Sequence, residues 1–284
     1  MEIKKVGVIG AGTMGNGIAQ VFASKGREVT LSDMAPAALE KALAKIEKSV
    51  RKIATKKEQD ADAVAGEVMG RITTGGDLDA LADCDLVVEA IVETAEVKTK
   101  VFAQLDSICK PEAILASNTS SISITVIGAA TKRPGQVIGM HFMNPVPIMK
   151  LVEVIRGQLT SDETMAAIMG ECEALGKTPL EANDFPGFVA NRILMPMINE
   201  ACFALMEGVA DAPSIDGVMK LGCNHPMGPL QLADFIGLDI CLSILNVLHT
   251  EIGDPKYRPC PLLRRYVAAG RLGRKSGAGF YDYS

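Results

Sequence analysis

Only three histidines occur in the chain, and their settings differ. Imidazole is the side chain whose ordinary titration lies nearest neutrality, so each is a candidate for proton transfer. His249 closes the helix-like run Leu245-Asn246-Val247-Leu248-His249, where solvent exposure or a C-terminal capping role accounts for it. His225 precedes Pro226 in Asn224-His225-Pro226-Met227-Gly228-Pro229, a turn. His141 instead closes the strand-like run Val137-Ile138-Gly139-Met140-His141-Phe142, on the side where open α/β sheets place their ligands. Downstream, Glu153 interrupts the apolar run Leu151-Val152-Glu153-Val154-Ile155, and a carboxylate in that company needs a partner. Between the two, Asn144-Pro145-Val146-Pro147 has to turn. If the runs lie side by side, Glu153 returns to His141, fixes its tautomer and offsets the imidazolium charge during proton transfer. A structural pair with a lysine or arginine is the alternative.

Two further clusters carry chemistry. Ser117-Asn118-Thr119-Ser120-Ser121 ends another apolar run, and its short side chains can hold a substrate oxygen and a cofactor's ribose or amide. The same residues can equally cap a helix starting near Ile122-Ser123-Ile124-Thr125. Gly10-Ala11-Gly12-Thr13-Met14-Gly15 lies between the strand-like Val6-Gly7-Val8-Ile9 and the helix-like Asn16-Gly17-Ile18-Ala19-Gln20-Val21-Phe22-Ala23. In that context the glycines allow close approach to a pyrophosphate, which the helix N-terminus attracts. Asp33 closes the next strand-like run about twenty residues on, where a carboxylate binds both ribose hydroxyls of NAD and repels the extra phosphate of NADP. Outside such a βαβ setting the glycines would mark only a turn.

These residues need a scaffold that brings strand ends together. Strand-like runs at 6–9, 29–32, 85–89, 113–117, 137–142 and 151–155, with helical segments between the first several, predict an α/β domain with a doubly wound, mainly parallel sheet. Leu39, Leu43, Ile46, Val50 and Ile53 make residues 36–58 one long amphipathic helix. Its polar face carries Lys41, Lys45, Lys48, Lys52 and Lys56 as a stripe, with Arg51 and Lys57 beside it. The stripe is either a solvated face or a ladder of cations for a phosphate-bearing substrate. A helix at 160–176 and a short strand at 179–181 follow, and then Asn183-Asp184-Phe185-Pro186-Gly187 breaks the pattern. Helices at 188–208, 213–221, 229–251 and 262–269 complete the chain. We therefore expect a Rossmann-like NAD-binding domain at 1–185 and an all-α domain at 186–284. The smaller domain is rich in apolar helices, and we expect a second copy of the chain to cover its faces. Asn191 opens its first helix and faces the cleft if that helix packs across it.

Composition narrows the classes. A net charge of −5 over 284 residues argues against a nucleic-acid binder. The seven cysteines are scattered without C-x-x-C pairs, which suggests neither a disulfide framework nor a zinc site and fits reduced thiols in a cytoplasm. The N-terminal apolar run is too short for a signal peptide, and Asn191, Arg192, Pro196, Asn199 and Glu200 interrupt the apolar stretch 188–206, which reads as a buried core or interface helix.

Taken with Pro186-Gly187-Phe188-Val189-Ala190-Asn191-Arg192 and Gly277-Ala278-Gly279-Phe280-Tyr281, these motifs follow the order found in the 3-hydroxyacyl-CoA dehydrogenases, which the chain resembles along essentially its whole length. The resemblance implies NAD-linked, reversible oxidation of a short-chain thioester, (S)-3-hydroxybutyryl-CoA to acetoacetyl-CoA, in fatty-acid or butanoate metabolism, by a homodimer joined through the helical domain. It implies His141 as acid/base, Glu153 as the residue that orients it, and Ser120 and Asn191 as ligands of the reacting oxygen and neighbouring carbonyl. Cofactor contacts carry over to Gly10, Gly12, Thr13, Met14, Gly15, Asp33, Glu93, Lys98, Ser120, Asn144 and Lys275, and coenzyme A contacts to Ser49, Lys56 and again Ser120. No metal is implied. Met143 departs from the pattern, since many relatives carry an aromatic there. Dehydrogenases of free sugar acids share the His–Glu pair, but the lysine stripe favours a coenzyme A ester. A lens crystallin also resembles the family, but the presence of Ser120, His141, Glu153 and Asn191 argues against an inert scaffold.

Overall fold

The runs Lys5–Ile9 (β1), Leu86–Glu89 (β4) and Ile114–Ser117 (β5) are largely apolar on both sides of the strand, as sheets covered on both faces require, whereas Glu28–Ser32 (β2) alternates, with Val29 and Leu31 in the core and Glu28 and Thr30 on the other side. In a computed structural model, which describes residues 2–283, they join Ile72–Gly75 (β3), Val137–Phe142 (β6), Leu151–Arg156 (β7) and Thr178–Asn183 (β8) in one eight-stranded sheet. The strand order is β3-β2-β1-β4-β5-β6-β7-β8. Strands β1 to β6 run parallel; β7 pairs antiparallel with β6, and β8 parallel with β7. The chain divides into two compact units, Met1–Asp184 and Phe185–Ser284, and the sheet lies wholly in the first.

Helices Thr13–Ala23 (α1), Pro36–Lys56 (α2), Ala61–Met69 (α3), Ala95–Ile108 (α4), Ile124–Ala129 (α5) and Asp162–Ala174 (α6) connect these strands. Ile18 and Phe22 of α1, Ile46 of α2, Val68 of α3 and Ile168 of α6 pack into one core with Val8, Leu86 and Val88. Val87 points the other way, toward Gly7 and the side of Leu81 and Cys84, as alternation along a strand demands. Asp60 caps α3 by accepting from the N–H groups of Asp62 and Ala63. Neither α3 nor β3 stands out in the sequence, because β3 is a four-residue edge strand with two exposed positions.

The second unit holds Ala190–Met206 (α7), Ala212–Gly222 (α8), Pro229–Ile236 (α9), Leu238–Ile252 (α10) and Pro261–Ala268 (α11) around a core that includes Met195, Ile198, Leu230, Leu245 and Leu263. The helix expected at 229–251 is in fact two. Gly237 adopts φ 108°, open to glycine and strained for other residues, and the axis turns by 99° there while the apolar spacing runs on across the break. Among the described residues no single helix is long and apolar enough to cross a membrane.

Candidate active site

The glycine loop, Asp33, the serine cluster and His141 lie at or just beyond the carboxyl ends of strands, whereas Ser49 and Lys56 lie on α2 and Lys98 on α4. Pairing aligns Ser32, Ile9, Glu89, Ser117 and Gly139 in one row across β2, β1, β4, β5 and β6, with Asp33, Gly10 and Asn118 one step further and His141 two. Between β1 and β4 the strand order reverses direction, which is where open α/β sheets leave a crevice.

The glycine loop fits a dinucleotide at that crevice. Gly10 has φ 97°, and a side chain there would meet the carbonyl of Ala90. A Cβ on Gly15 would fall on the carbonyl oxygen of Gly10, so α1 can start against the strand only with glycine. A Cβ on Gly12 would meet nothing within 4 Å, leaving open space above the start of α1. No side chain caps that helix and its first turn holds no acid, so the N–H groups at Thr13, Met14 and Gly15 suit a phosphate. Asp33 accepts from the N–H groups of Ala11 at 2.8 Å and Ala35 at 2.9 Å, which ties the loop to the end of β2. A cavity of about 870 Å³ opens beside these residues, walled by Gly10, Gly12, Asp33, Val97 and Val101.

At the next strand ends, His141 sits directly opposite Glu153 in the β6–β7 register. Its Nδ1 lies 2.7 Å from Glu153 Oε2, and its Nε2 lies 3.2 Å from Ser120 Oγ. Both residues are nearly closed to solvent, at 6% and 3% exposure, so competition from water for this contact is weak. Phe142 packs edge-on against Phe22 of α1 at 6.5 Å between ring centroids, bracing the end of β6 on the helix behind the glycine loop. The turn after His141 is held too, since Lys177 Nζ donates to the carbonyls of Val146 at 2.5 Å and Met149 at 2.7 Å. Burial lowers the pKa of that ammonium.

The serine cluster separates into distinct jobs. Ser117 Oγ donates to Glu89 at 2.7 Å, Asn118 Oδ1 accepts from the N–H of Phe142 at 2.9 Å, and Thr119 Oγ1 donates to Glu93 at 2.5 Å. Ser123, outside the cluster, caps α5. Ser120 is the member brought against His141.

Glu93 and Lys98, expected as cofactor contacts, are tied into the protein. Glu93 accepts from the N–H groups of Ser120 at 2.7 Å and Ser121 at 3.1 Å. Lys98 is 1% exposed, and its Nζ lies 2.6 Å from Glu89 and 3.3 Å from Glu93. Glu89 has no role in the sequence reading, although an acid ending the apolar run Leu86-Val87-Val88 was a visible signal. Asn144 is exposed at the turn after His141. Lys41, Lys45, Lys48, Lys52 and Lys56 are all exposed and Ser49 is half-buried, whereas Arg51 is occupied by Glu47 and Asp62. Asn191 lies in the first turn of α7, buried at 8% exposure, and Lys275 pairs with Asp239; both belong to the second unit. His249 sits in the last turn of α10, and His225 lies in the loop after α8. Among the described residues no metal-ligand cluster occurs, and all seven cysteines are free. Burial pushes the thiols of Cys84 and Cys172 up to about 12, which keeps them unreactive.

A glycine loop at the sheet's reversal point, an acid ending β2 and a buried imidazole at a neighbouring strand end define the class of NAD-linked oxidoreductases. The chain belongs to the 3-hydroxyacyl-CoA dehydrogenase family: the model of the family's NAD-binding domain matches residues 5–185, and that of its C-terminal domain residues 187–283. It is 61% identical over 280 residues to a probable 3-hydroxybutyryl-CoA dehydrogenase of Deinococcus radiodurans, across 98% of this chain and 100% of that one. Identity is 56% over 281 residues to the 3-hydroxybutyryl-CoA dehydrogenase of Bradyrhizobium diazoefficiens, across 99% and 96% of the two chains. The crystal structure of (S)-3-hydroxybutyryl-CoA dehydrogenase from Ralstonia eutropha is similar over 100% of both chains, with a TM-score of 0.95 and 51% identity.

Proposed function

We propose that the chain interconverts (S)-3-hydroxybutyryl-CoA and acetoacetyl-CoA, with His141 and Glu153 as its acid/base pair. The observation that carries this reading is the bridging imidazole, 2.7 Å from a buried carboxylate on one side and 3.2 Å from Ser120 Oγ on the other. When bound, NAD would supply the acceptor for the hydride that leaves C3 of the hydroxyacyl group and, once reduced, the donor that returns it. In oxidation, neutral His141 takes the hydroxyl proton at Nε2 while Glu153, across the strand pair, offsets the charge that grows on the ring. In reduction, the imidazolium gives that proton to the ketone oxygen. Ser120 donates to the same oxygen, and Asn191 to the neighbouring carbonyl. Asp33 binds the adenosine ribose, the loop from Gly10 to Gly15 binds the pyrophosphate, and Glu93, Asn144 and Lys275 contact the rest of the cofactor. Lys98 contributes by holding Glu93.

The exposed lysines of α2, with Ser49 and Lys56, are assigned to the phosphates of coenzyme A. NADH oxidation with acetoacetyl-CoA, against the same concentration of free acetoacetate, tests the reading. Rapid turnover of the thioester alone is expected, with raised salt weakening thioester binding more than NADH binding because exposed pairs are screened. Turnover of both substrates alike would favour a free acid, and equal salt effects would return the lysines to a solvated face.

The free thiols support a cytoplasmic setting. Ile193, Val218 and Leu221, at 68%, 65% and 90% exposure, support pairing of the helical unit with a second copy. Sedimentation is expected to give twice the chain mass, and a monomer at assay concentration would exclude that pairing.

A further inference from the structure

Asp184 is the last residue of the first unit, yet its carboxylate is spent on the start of α5, some sixty residues back in the chain. Its oxygens accept from Ser123 Oγ at 2.7 Å and from the N–H groups of Ile124 at 3.0 Å and Thr125 at 2.8 Å. Ser123 accepts only from the N–H of Val126, and Asp184 takes the N–H groups of the first two residues of α5, so the start of this helix is held by a carboxylate from a distant part of the chain. The three bonds to Asp184 fix the segment that leaves Ser120. On the other side, Glu93 holds the N–H groups of Ser120 and Ser121, so the serine loop is pinned between two carboxylates. The N–H of Asp184 itself donates to the carbonyl of Arg156 at 3.1 Å, which roots the anchor at the end of β7, the strand that carries Glu153. The residue assigned to the substrate's reacting oxygen is therefore held, through the start of α5, by this one carboxylate.

We propose that Asp184 is a positioning residue for the reaction, setting where Ser120 Oγ stands relative to His141 Nε2. The inference rests on the assignment of Ser120 as a donor to the substrate oxygen. Bonds to a charged acceptor are stronger than neutral ones, and three on one carboxylate restrain the loop more firmly than the backbone turn would.

A double-mutant cycle tests it, with kcat and KM for acetoacetyl-CoA reduction measured in the parent, Asp184→Ala, Ser120→Ala and the double variant. Asp184→Ala is expected to lower kcat by about ten- to a hundredfold, the scale of a misplaced catalytic contact, with KM for NADH unchanged. In the Ser120→Ala background that loss is expected to vanish nearly completely, since residues that act through one another are not additive. Multiplying losses in the double variant, an unchanged kcat in Asp184→Ala, or a parallel loss of NADH affinity would each overturn the proposal while leaving Ser120 its role. A Ser120→Ala variant with full kcat would instead remove the serine from the mechanism, and the proposal with it. If Asp184→Ala does not fold, Asp184→Asn, which keeps the shape and one acceptor oxygen, enters the cycle under the same criteria.

Discussion

Replacing His141 with Gln is expected to lower kcat by about a hundred- to ten-thousand-fold in both directions while leaving NADH affinity intact. That range corresponds to roughly 3–5 kcal/mol of transition-state stabilisation, since each tenfold is worth about 1.4 kcal/mol. Glutamine is the informative replacement because its amide can still donate to Glu153, whose carboxylate is 3% exposed and would otherwise be left buried without its partner. An alanine would confound lost chemistry with that desolvation penalty. The cofactor loop should not notice, because Asp33 and the start of α1 form their own bonds at the ends of β1 and β2. Fluorescence titration with NADH and steady-state reduction of acetoacetyl-CoA check the two halves separately. Unchanged turnover removes His141 from the mechanism, and parallel losses of turnover and NADH affinity would point to a collapsed site rather than a missing acid.

The pairing of His141 with Glu153 was partly legible because two apolar runs joined by a proline-rich turn have few places to go. The turn does not dictate that β7 should add antiparallel to β6, or that the two residues should face each other without offset, but a buried acid made that register the economical one. The glycine loop and Asp33 were more legible still, since their contacts are local to one βαβ unit. Contacts that close over long separations left no such trace. Asp184 reads as a breaker before Pro186, and its three partners form the start of α5, where the local pattern gives no sign that a carboxylate some sixty residues on supplies part of the cap. The bend at Gly237 was hidden for the opposite reason. Leu230, Ala233, Leu238, Cys241 and Leu245 keep a helical spacing across it, and a single glycine inside such a pattern does not reveal whether its freedom is used. Lys98 shows a third kind of failure. A lysine on a helix is normally taken as solvent-facing, and only the structure reveals the buried acid on the adjoining strand end that draws it inward.

That burial makes Lys98→Met the substitution with the largest expected effect on stability. Lys98 and Glu89 are 1% and 0% exposed with their charged atoms 2.6 Å apart, so the methionine would fill the space but strand a carboxylate among apolar strands. Ser117 Oγ and the N–H of Ile91 would remain on Glu89, each at 2.7 Å, and two neutral donors offset only part of the charge. Breaking a buried pair from one side costs about 3–5 kcal/mol, which denaturant unfolding can measure directly. The companion variant Lys98→Met with Glu89→Gln is expected to recover much of that loss, because both charges leave together and the amide keeps the carboxylate's shape. Activity should not recover in step. Lys98 also holds Glu93, which takes the N–H of Ser120, so the double variant regains stability while its serine loop stays slack. If the double variant is as unstable as the single one, the cost lies in lost packing around the lysine stem rather than in an unpaired Glu89. If it regains full kcat along with stability, the link from Lys98 through Glu93 to Ser120 is not what places the serine.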